Sequence, residues 1–360
     1  MTGTVLVTGA TGHLGANLVR RLLKDGDAVR VLLQPGASTE AVDGLDVERL
    51  VGDLRDPVAV ARAVRDTTRV FHTGAIVSTV TGSPEHRQAI FDTNVMGTKY
   101  VLDAALEHRV DRVVVTGSFS AVGYDPRDPT QASDEEMPFD PFHSPTPYST
   151  SKAAAEQQCW QAAARGLDVR VAVSCGIVGP NDFVPSRLGG VLCAFSEGRI
   201  AAYVPGGFPF VAARDIAEGH VLTMNKGRSG ERYIFASEYR TMDELMGMFE
   251  TVTGRKRPPI RLPRPMMSAI AQAIDPFVTR FVPPERHRLT PAAIHILGLE
   301  RRANIEKAKR ELGYQPTTVL AAVQDAYDWF CARGKIANPK RPQPSKPRAA
   351  STFSADGPSP

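Results

Sequence analysis

Residues 5–15 of the chain read VLVTGATGHLG, and this stretch decides the fold. Val5, Leu6 and Val7 form an apolar run typical of a buried strand, and the glycines end it. Apolar residues then recur at helical spacing up to Leu23, which predicts a helix directly after the loop. Glycines also mark ordinary turns, so the strand before the loop and the helix after it carry the interpretation.

This strand–loop–helix unit predicts a dinucleotide-binding loop. The glycines allow a tight turn, close approach of a pyrophosphate and close packing of the helix on the strand. The pyrophosphate would then lie at the positive N-terminus of the helix. We expect six residues to take part in this binding: Gly9, Thr11, Gly12, His13, Leu14 and Gly15.

The alternation of strand and helix continues through the first half of the chain. Each predicted strand is a continuous apolar run, which is typical of a parallel sheet covered by helices on both faces. The fold class is therefore predicted as α/β, a Rossmann-type doubly wound parallel sheet. The predicted strands are 5–7, 29–33, 47–51, 70–72, 112–116 and 169–173, and the predicted helices are 14–23, 58–64, 94–107 and 148–165.

Beyond residue 175 the pattern changes to loops, short helices and proline-rich connections. We predict an NAD(P)-binding domain over residues 1–175, to which residues 210–236 return. A smaller, mostly helical substrate domain is predicted over residues 176–209 and 237–334. Residues 338–360 hold six prolines and four basic residues but one acid, so they are predicted to be a disordered tail.

The basic character of the chain comes mainly from that tail. The whole chain has 43 basic and 39 acidic residues, a net charge of +4, whereas residues 1–337 have 39 and 38. A nearly neutral body gives no indication of a nucleic-acid partner. No apolar run approaches the ~20 residues that span a bilayer, and no signal-peptide pattern precedes the first strand. We therefore expect a cytoplasmic protein.

The four cysteines are widely spaced and form no C-x-x-C pair. This pattern favours reduced thiols over a zinc site or a disulfide framework. No histidine has a matching acid and nucleophile at a recognisable spacing. The sequence therefore predicts no metal centre.

Motifs along most of the chain resemble those of the extended short-chain dehydrogenases/reductases, the NAD-dependent epimerase/dehydratase family. The loop has their G-x-x-G-x-x-G spacing, and the resemblance runs from Val5 to about Phe330. The branch that the chain is most similar to holds 3β-hydroxysteroid dehydrogenases and dihydroflavonol reductases. The other motifs are Gly52-Asp53-Leu54-Arg55-Asp56, His72-Thr73-Gly74-Ala75, Asn94-Val95-Met96-Gly97-Thr98 and Glu311-Leu312-Gly313-Tyr314-Gln315-Pro316.

The resemblance assigns further cofactor-binding residues. It implies that Asp53 and Leu54 contact the adenine and that Gly74 and Ala75 line the adenosine ribose. Asn94 frames the active site, either by ordering a proton relay or by tying its helix to a neighbouring strand.

Two histidines of these motifs also carry expectations. His72 is expected to be a core residue that lines the cofactor cleft. His13 in the glycine loop is expected either to touch phosphate or to face water.

Tyr148 and Lys152 lie four residues apart, on one face of a predicted helix. An adjacent ammonium favours the phenolate, so we expect Lys152 to lower the pKa of Tyr148 toward neutrality. Tyr148 could then exchange a proton with a carbonyl or alcohol oxygen while Lys152 donates to the nicotinamide ribose. A surface pair on an amphipathic helix is the alternative. The resemblance places the third catalytic group, a hydroxyl, at Ser118, with Thr116 and Ser120 as competitors.

The choice between NAD and NADP depends on the end of the second strand. An acid there would bind the ribose 2′-hydroxyl of NAD and repel a 2′-phosphate. This chain has Gln34 at that position and no acid before Glu40, which allows NADP. The basic residue that would bind the phosphate is also missing, so NADP is favoured and NAD remains open.

The residues around the predicted substrate site are mainly apolar. Family members that act on nucleotide sugars carry an Arg–Asp pair shortly before the acid that is Asp215 here, and this chain has Phe208-Pro209-Phe210. The acids that sugar dehydratases place after the catalytic hydroxyl are replaced by Phe119 and Ser120. Ser174 also replaces a usual proline. The apolar candidates, of which about a third would line a pocket, are Phe119, Phe183, Val184, Leu188, Leu192, Phe195, Phe208, Phe210, Met266 and Met267.

These features predict an oxidoreductase that interconverts a ketone and a secondary alcohol on a small apolar substrate, such as a steroid, a flavonol or a 3-oxoacyl ester. A nucleotide-sugar epimerase or dehydratase that retains bound NAD is the alternative within enzymes. A non-catalytic dinucleotide sensor is a third reading, which the intact Tyr148–Lys152 pair disfavours. The resemblance also implies that a homodimer can form through helices 94–107 and 148–165.

Overall fold

The computed structural model describes residues 3–337, with the exception of 81, 129–130, 140–145, 264, 267–268, 270–272 and 274–289. Met267 and the predicted tail at 338–360 lie outside the described residues.

Short strands alternate with helices along the first 240 residues. The described strands are β1 (Thr4–Thr8), β2 (Val29–Leu33), β3 (Glu48–Val51), β4 (Thr67–His72), β5 (Arg112–Ser118), β6 (Val169–Ser174), β7 (Gly176–Val178), β8 (Ala202–Tyr203), β9 (Gly207–Ala212), β10 (Arg232–Phe235), β11 (Glu238–Thr241) and β12 (Ile260–Arg261). The described α-helices are α1 (His13–Lys24), α2 (Pro57–Val64), α3 (Pro84–Phe91), α4 (Gly97–Glu107), α5 (Pro147–Ala164), α6 (Arg187–Ser196), α7 (Ala213–Lys226), α8 (Met242–Thr253), α9 (Pro291–Gly298) and α10 (Val319–Ala332).

Seven parallel strands form the main sheet in the order β10-β6-β5-β4-β1-β2-β3. The order reverses at β1, which pairs with β2 on one side and β4 on the other. In open α/β sheets, the crevice at such a switch point, outside the carboxyl ends of the strands, is where ligands bind. The predicted Rossmann-type parallel sheet is confirmed.

Helices cover both faces of this sheet. Helix α1 packs against α7, while α2, α4 and α5 pack in a row. Leu14, Leu18 and Leu22 make up the buried stripe of α1, as their helical spacing predicts. The sheet and these helices share one continuous hydrophobic core.

Two predicted elements differ from the structure. Strand β3 is the edge of the sheet and is mostly exposed, with Val51 58% exposed, so its predicted burial is wrong. An apolar run alone does not distinguish an edge strand from a central one. The predicted helix 94–107 starts earlier, because α3 precedes a π-helical turn at Asp92–Met96 that continues into α4. Since only Ile90 of α3 is buried, that helix has no apolar stripe to reveal it.

A second hydrophobic core lies beside the carboxyl ends of the main sheet. Strand β9 pairs in parallel with β7 and antiparallel with β11, and helices α6, α8 and α10 pack around this small sheet. Phe249 and Phe330 are fully buried there. Half-buried Phe208 on β9 contacts both cores, so this part of the chain lies against the carboxyl ends of the main strands.

Two glycines of the loop between β1 and α1 are required by its geometry. Gly9 has a φ of +71°, and a Cβ there would lie 2.5 Å from the main-chain nitrogen of Gly74 after β4. A Cβ on Gly15 would lie 2.1 Å from the carbonyl oxygen of Gly9. The loop and the first turn of α1 therefore pack main chain against main chain, which only glycine permits.

We predict that Gly15→Ala lowers the free energy of unfolding by about 1–3 kcal/mol, the usual range for an overpacked interior. The added methyl would meet main-chain atoms, which cannot move aside as a flexible side chain can. Thermal or denaturant unfolding measures the change. Gly12→Ala is the matched control, because its Cβ has the Gly9 carbonyl oxygen at 3.4 Å as its nearest neighbour. Equal stability of the two variants would contradict the packing argument.

Candidate active site

The glycine loop offers an anion site at the start of α1. The first helical N–H groups have no partner within the helix, and the first turn carries no acidic side chain. Gly12 is the N-cap residue and is exposed, so it leaves the main chain open to a ligand. This local chemistry fits a pyrophosphate.

His13 makes a side-chain hydrogen bond to a residue outside the glycine loop. Its Nε2 lies 3.1 Å from the Pro180 carbonyl oxygen, to which it donates, and Asn17 Nδ2 donates to the same oxygen at 2.9 Å. The side chain therefore ties α1 to the loop before α6 and is half-buried, and its contact with phosphate stays a prediction. Its main-chain N–H remains in the first turn of the helix.

The predicted adenosine-binding residues lie together at the carboxyl ends of β2, β3 and β4. Gln34 is exposed immediately after β2. Leu54 packs close to the backbone of Gly74, where a Cβ would lie 2.6 Å from Leu54 Cδ1. Asp53 accepts hydrogen bonds from Arg55 Nη2 at 2.6 Å and Nε at 3.0 Å. The Arg55 side chain holds the pKa of the Asp53 carboxyl below its usual range.

Asn94 lies in the π-helical turn and is buried. Its Oδ1 accepts from the main-chain nitrogen of Ile76 at 2.7 Å, and its Nδ2 donates to the Ile76 carbonyl oxygen at 3.0 Å and to Ser151 Oγ at 2.9 Å. Because Ser151 lies between Tyr148 and Lys152 on α5, Asn94 joins the loop after β4 to the helix that carries this pair. These contacts are those of the structural tie considered for this residue.

Helix α5 presents Tyr148 and Lys152 from its first two turns. The helix begins with Thr146 as N-cap residue, whose Oγ1 accepts from Ser149 N, and with Pro147 at the first helical position. Lys152 is buried and its Nζ donates to the carbonyl oxygen of Thr116 on β5. Burial lowers the pKa of Lys152 to about 8.

The expected lowering of the Tyr148 pKa by Lys152 is wrong for this structure. Burial raises the pKa of the Tyr148 phenol, and a hydrogen bond with Ser118 opposes this only in part. The i, i+4 spacing places both residues on one helix face, but the Lys152 ammonium is bound to a main-chain carbonyl. Desolvation therefore dominates over the charge of the neighbour.

The three candidate hydroxyls, of Thr116, Ser118 and Ser120, differ in their hydrogen-bond partners. Thr116 Oγ1 lies 2.8 Å from His220 Nε2 on α7, so it is bound to that histidine. Ser118 lies at the end of β5, interacts with Tyr148 and lies 2.8 Å from Ser120 Oγ. Ser118 and Tyr148 are thus brought together, with Ser120 beside Ser118. Ser174 pairs with Ser118 in the sheet register, and its Oγ donates to the Cys175 carbonyl oxygen.

Two buried histidines lie beneath this site. His72, at the end of β4, has Thr8 Oγ1 2.7 Å from Nδ1 and Thr98 Oγ1 2.9 Å from Nε2. His220 has its Nδ1 2.8 Å from the Ile216 carbonyl oxygen. Burial lowers the pKa of His72 to about 3 and that of His220 to about 4, so both are neutral at pH 7.

The predicted apolar residues divide into separate groups. Phe119 directly follows Ser118 in the chain, and Phe208 packs on it edge to face, with ring centroids 6.1 Å apart. Phe183 packs instead on Trp329 of α10. Leu192, Phe195 and Phe210 are buried in the second core, against which Leu188 packs. Val184 and Met266 are 73% and 46% exposed. Two of the nine described candidates thus contact the predicted catalytic segment.

Arg301 was missed by the sequence analysis. Its guanidinium lies 4.5 Å from the ring centroid of Phe119, and its Nη2 donates to the Val122 and Gly123 carbonyl oxygens at 2.8 and 2.9 Å. It lies more than 170 residues from these partners, in a segment with no distinct motif, so no local signal could have identified it.

The described residues also lack two other kinds of feature. Among them, no helix is long and apolar enough to cross a membrane. The same part of the chain holds no group of three or more histidine, cysteine or acidic side chains placed to bind a metal ion.

A family model described as the NAD dependent epimerase/dehydratase family matches residues 5–236. The chain is 42% identical to sterol demethylase protein B of Methylococcus capsulatus, over 92% of this chain and 100% of that protein. It is 29% identical to a putative dihydroflavonol 4-reductase of Synechocystis sp., over 93% and 97% of the two chains. Among solved structures, the crystal structure of gox2253 is similar with a TM-score of 0.80 and 30% identity, covering 93% of this chain and 100% of that one.

The buried histidines predict a pH dependence of stability. Each has a pKa of about 6.5 when unfolded, but about 3 for His72 and about 4 for His220 when folded, so the unfolded chain binds more protons in this window. Their stabilising effect is complete above pH 6.5 and is lost as the pH falls toward 4. The free energy of unfolding should therefore fall by up to about 1.4 kcal/mol per pH unit for each histidine.

Denaturant unfolding between pH 7 and 4 measures this slope. Replacing one histidine by a non-titrating residue with hydrogen-bonding capacity, His220→Gln or His72→Gln, should reduce the slope by one proton even where overall stability also falls. A slope equal to that of the wild type in both variants would show that the histidines are not the acid-sensitive groups.

Proposed function

Because the chain belongs to the NAD-dependent epimerase/dehydratase family, we propose that it is an oxidoreductase that interconverts a secondary alcohol and a ketone on a sterol or steroid. The observation that carries this substrate class is the 42% identity, over nearly the whole of both chains, to a protein named sterol demethylase protein B. Phe119, which follows Ser118, and Phe208, which packs on Phe119, support a substrate with few polar groups.

The proposed chemistry assigns one role to each of three residues. Ser118 holds the substrate oxygen by a hydrogen bond. Tyr148, within hydrogen-bond reach of Ser118, gives a proton to that oxygen during reduction and takes it during oxidation. Lys152, buried beneath, supplies a positive charge and a donor beside the cofactor ribose. The nicotinamide cofactor, when bound, supplies or accepts the hydride.

The proton that the ketone oxygen receives in this scheme comes from the Tyr148 phenol. Burial holds the Tyr148 pKa above its ordinary value, so the phenol is protonated at neutral pH and is ready to act as an acid toward a ketone. Reduction therefore needs no prior deprotonation of the enzyme. Oxidation of an alcohol would need the phenolate and should be favoured as the pH rises.

A nucleotide-sugar epimerase or dehydratase is the second candidate. Such a substrate carries a diphosphate, which arginine binds with paired hydrogen bonds. Here the matching segment is Phe208-Pro209-Phe210, on β9, where Phe208 and Phe210 pack edge to face. This apolar segment disfavours a diphosphate-bearing substrate.

We predict that Tyr148→Phe slows ketone reduction by about 100- to 10,000-fold, the range for loss of a general acid, without loss of cofactor binding. The assay follows NADPH absorbance with cholestanone as substrate, and cofactor binding is measured by fluorescence titration. Tyr100→Phe is the matched control, because Tyr100 packs against the main core on α4 and lies outside the site. Wild-type turnover in Tyr148→Phe would overturn the proposed mechanism.

The same assay distinguishes the two candidate activities. A reductase should consume NADPH in proportion to the cholestanol formed and should purify without cofactor. An epimerase would retain tightly bound NAD and would convert UDP-glucose without net change in NADH absorbance. That second outcome would replace the sterol proposal.

We further propose that the enzyme favours NADP, since Gln34 places no charge against a 2′-phosphate. Gln34 is exposed at the end of β2, so an acid introduced there would face the bound ribose. Gln34→Asp should weaken NADPH binding by about tenfold or more and leave NADH binding unchanged or tighter.

Fluorescence titration with both cofactors tests this preference, with Gln34→Ala as the uncharged control. The control should change the two affinities by similar factors. A wild-type enzyme that binds NADH at least tenfold more tightly than NADPH would refute the NADP assignment.

A further inference from the structure

Arg301 lies at the junction between the C-terminal part of the chain and the segment that follows Ser118. Its guanidinium contacts two aromatic rings, 4.5 Å from the Phe119 centroid and 4.6 Å from that of Tyr124. Arginine over an aromatic face is attracted by the ring, more strongly where water is excluded. The two ring contacts therefore hold the Arg301 side chain in place, in addition to its hydrogen bonds.

The hydrogen bonds of Arg301 all go to the turn after β5 and to a segment beside it. Nη2 donates to the carbonyl oxygens of Val122 and Gly123, at 2.8 and 2.9 Å, and to Ser133 Oγ at 3.0 Å. The adjacent backbone adds two bonds, from Ser133 N to the Arg302 carbonyl oxygen and from Asn304 N to the Ser133 carbonyl oxygen. One guanidinium thus joins three separate parts of the chain.

This turn controls the position of Ser118. Residues Phe119–Ala121 form a single 3₁₀ turn whose N-cap residue is Ser118, and Ser118 Oγ accepts from Ser120 N at 3.3 Å. The rotamer of Ser118 therefore depends on the path of the main chain that follows it. Arg301 fixes that path at its far end, through the Val122 and Gly123 carbonyls.

Arg301 has no carboxylate partner among the described residues, and its Nε is buried without a hydrogen bond. Burial lowers the pKa of Arg301 to about 10, so the side chain is still charged at pH 7. Carbonyl oxygens and ring faces, which carry only partial charges, offset its desolvation. Removal of the guanidinium would leave several of these carbonyls without their donor.

We propose that Arg301 is a positioning residue for the reaction, which acts by holding the 119–123 turn so that Ser118 Oγ meets both Tyr148 and the substrate oxygen. The proposal rests on the role of Ser118 in the proposed function. It predicts a loss in the chemical step, because a misplacement of about 1 Å at a reacting group can cost about 100-fold in rate.

The first test compares Arg301→Met with Arg302→Met. Arg302 is the matched control, since it is the next residue, is exposed, and stacks on Tyr239 outside the site. Arg301→Met should lower kcat for cholestanone reduction by about 10- to 100-fold and leave the NADPH dissociation constant within about twofold. Arg302→Met should keep both values near those of the wild type.

Isotope effects separate positioning from loss of folded protein. A smaller folded fraction lowers kcat but leaves the kinetic isotope effect with C4-deuterated NADPH unchanged. A misplaced Ser118 slows the hydride step itself, so the isotope effect on kcat should rise in Arg301→Met. If Arg301→Met does not fold, Arg301→Lys, which keeps a charge and donors but lacks the planar fork, should give an intermediate loss with the same rise.

A double variant tests whether Arg301 acts through Ser118. If it does, Ser118→Ala combined with Arg301→Met should be about as slow as Ser118→Ala alone, since the positioned group is already absent. If the losses in kcat of the two single variants multiply in the double variant, the proposal is overturned. A wild-type isotope effect in Arg301→Met would also overturn it. If Ser118→Ala alone keeps wild-type turnover, the proposed role of Ser118 fails first, which distinguishes that failure from a failure at Arg301.

Discussion

The approach of the β1 and β4 main chains at their carboxyl ends is the constraint on which the site depends. Thr73 N and Oγ1 both donate to the Thr8 carbonyl oxygen, and Gly9 lies against Gly74 with no room for a side chain. This contact lies where the strand order reverses, so it sets the floor of the crevice. A side chain at Gly9 would meet the Gly74 main chain and separate the two strands at that floor.

The polar side chains on this floor form hydrogen bonds with one another. Thr8 and Thr98 hold the two nitrogens of His72, and Thr116 holds His220. Both histidines are neutral, so they complete hydrogen bonds in a buried region without adding charge. These two neutral histidines do not compensate the charge of the buried Lys152. Burial lowers its pKa for the same reason.

Glu156, one turn after Lys152 on α5, belongs to a buried ion pair. Glu156 accepts from Arg232 Nη1 at 2.7 Å, and both side chains are largely buried. Glu156 raises the pKa of Lys152 and thereby opposes the effect of burial in part. Because Arg232 lies on β10, the strand at the edge of the main sheet takes part in the electrostatics of the site.

The sequence alone predicted the features that depend on local pattern. The glycine loop, the order of strands and helices, and the placement of Tyr148 and Lys152 on one helix face follow from spacing within a few residues. The pKa of Tyr148 could not be predicted in this way, because spacing indicates proximity but not burial. Contacts such as Thr116–His220 and His13–Pro180 join residues more than 100 positions apart, so no local signal reveals them.

The smaller part of the chain contributes to the site as well as covering it. Phe208 on β9 packs on Phe119, and Arg301 lies over the same ring. The residue that follows Ser118 is therefore held from two directions by segments more than 80 residues further along the chain. A change in how these segments pack would alter the Ser118 turn without altering the glycine loop. The geometry of the Ser118 turn and that of the glycine loop therefore depend on different contacts within the fold.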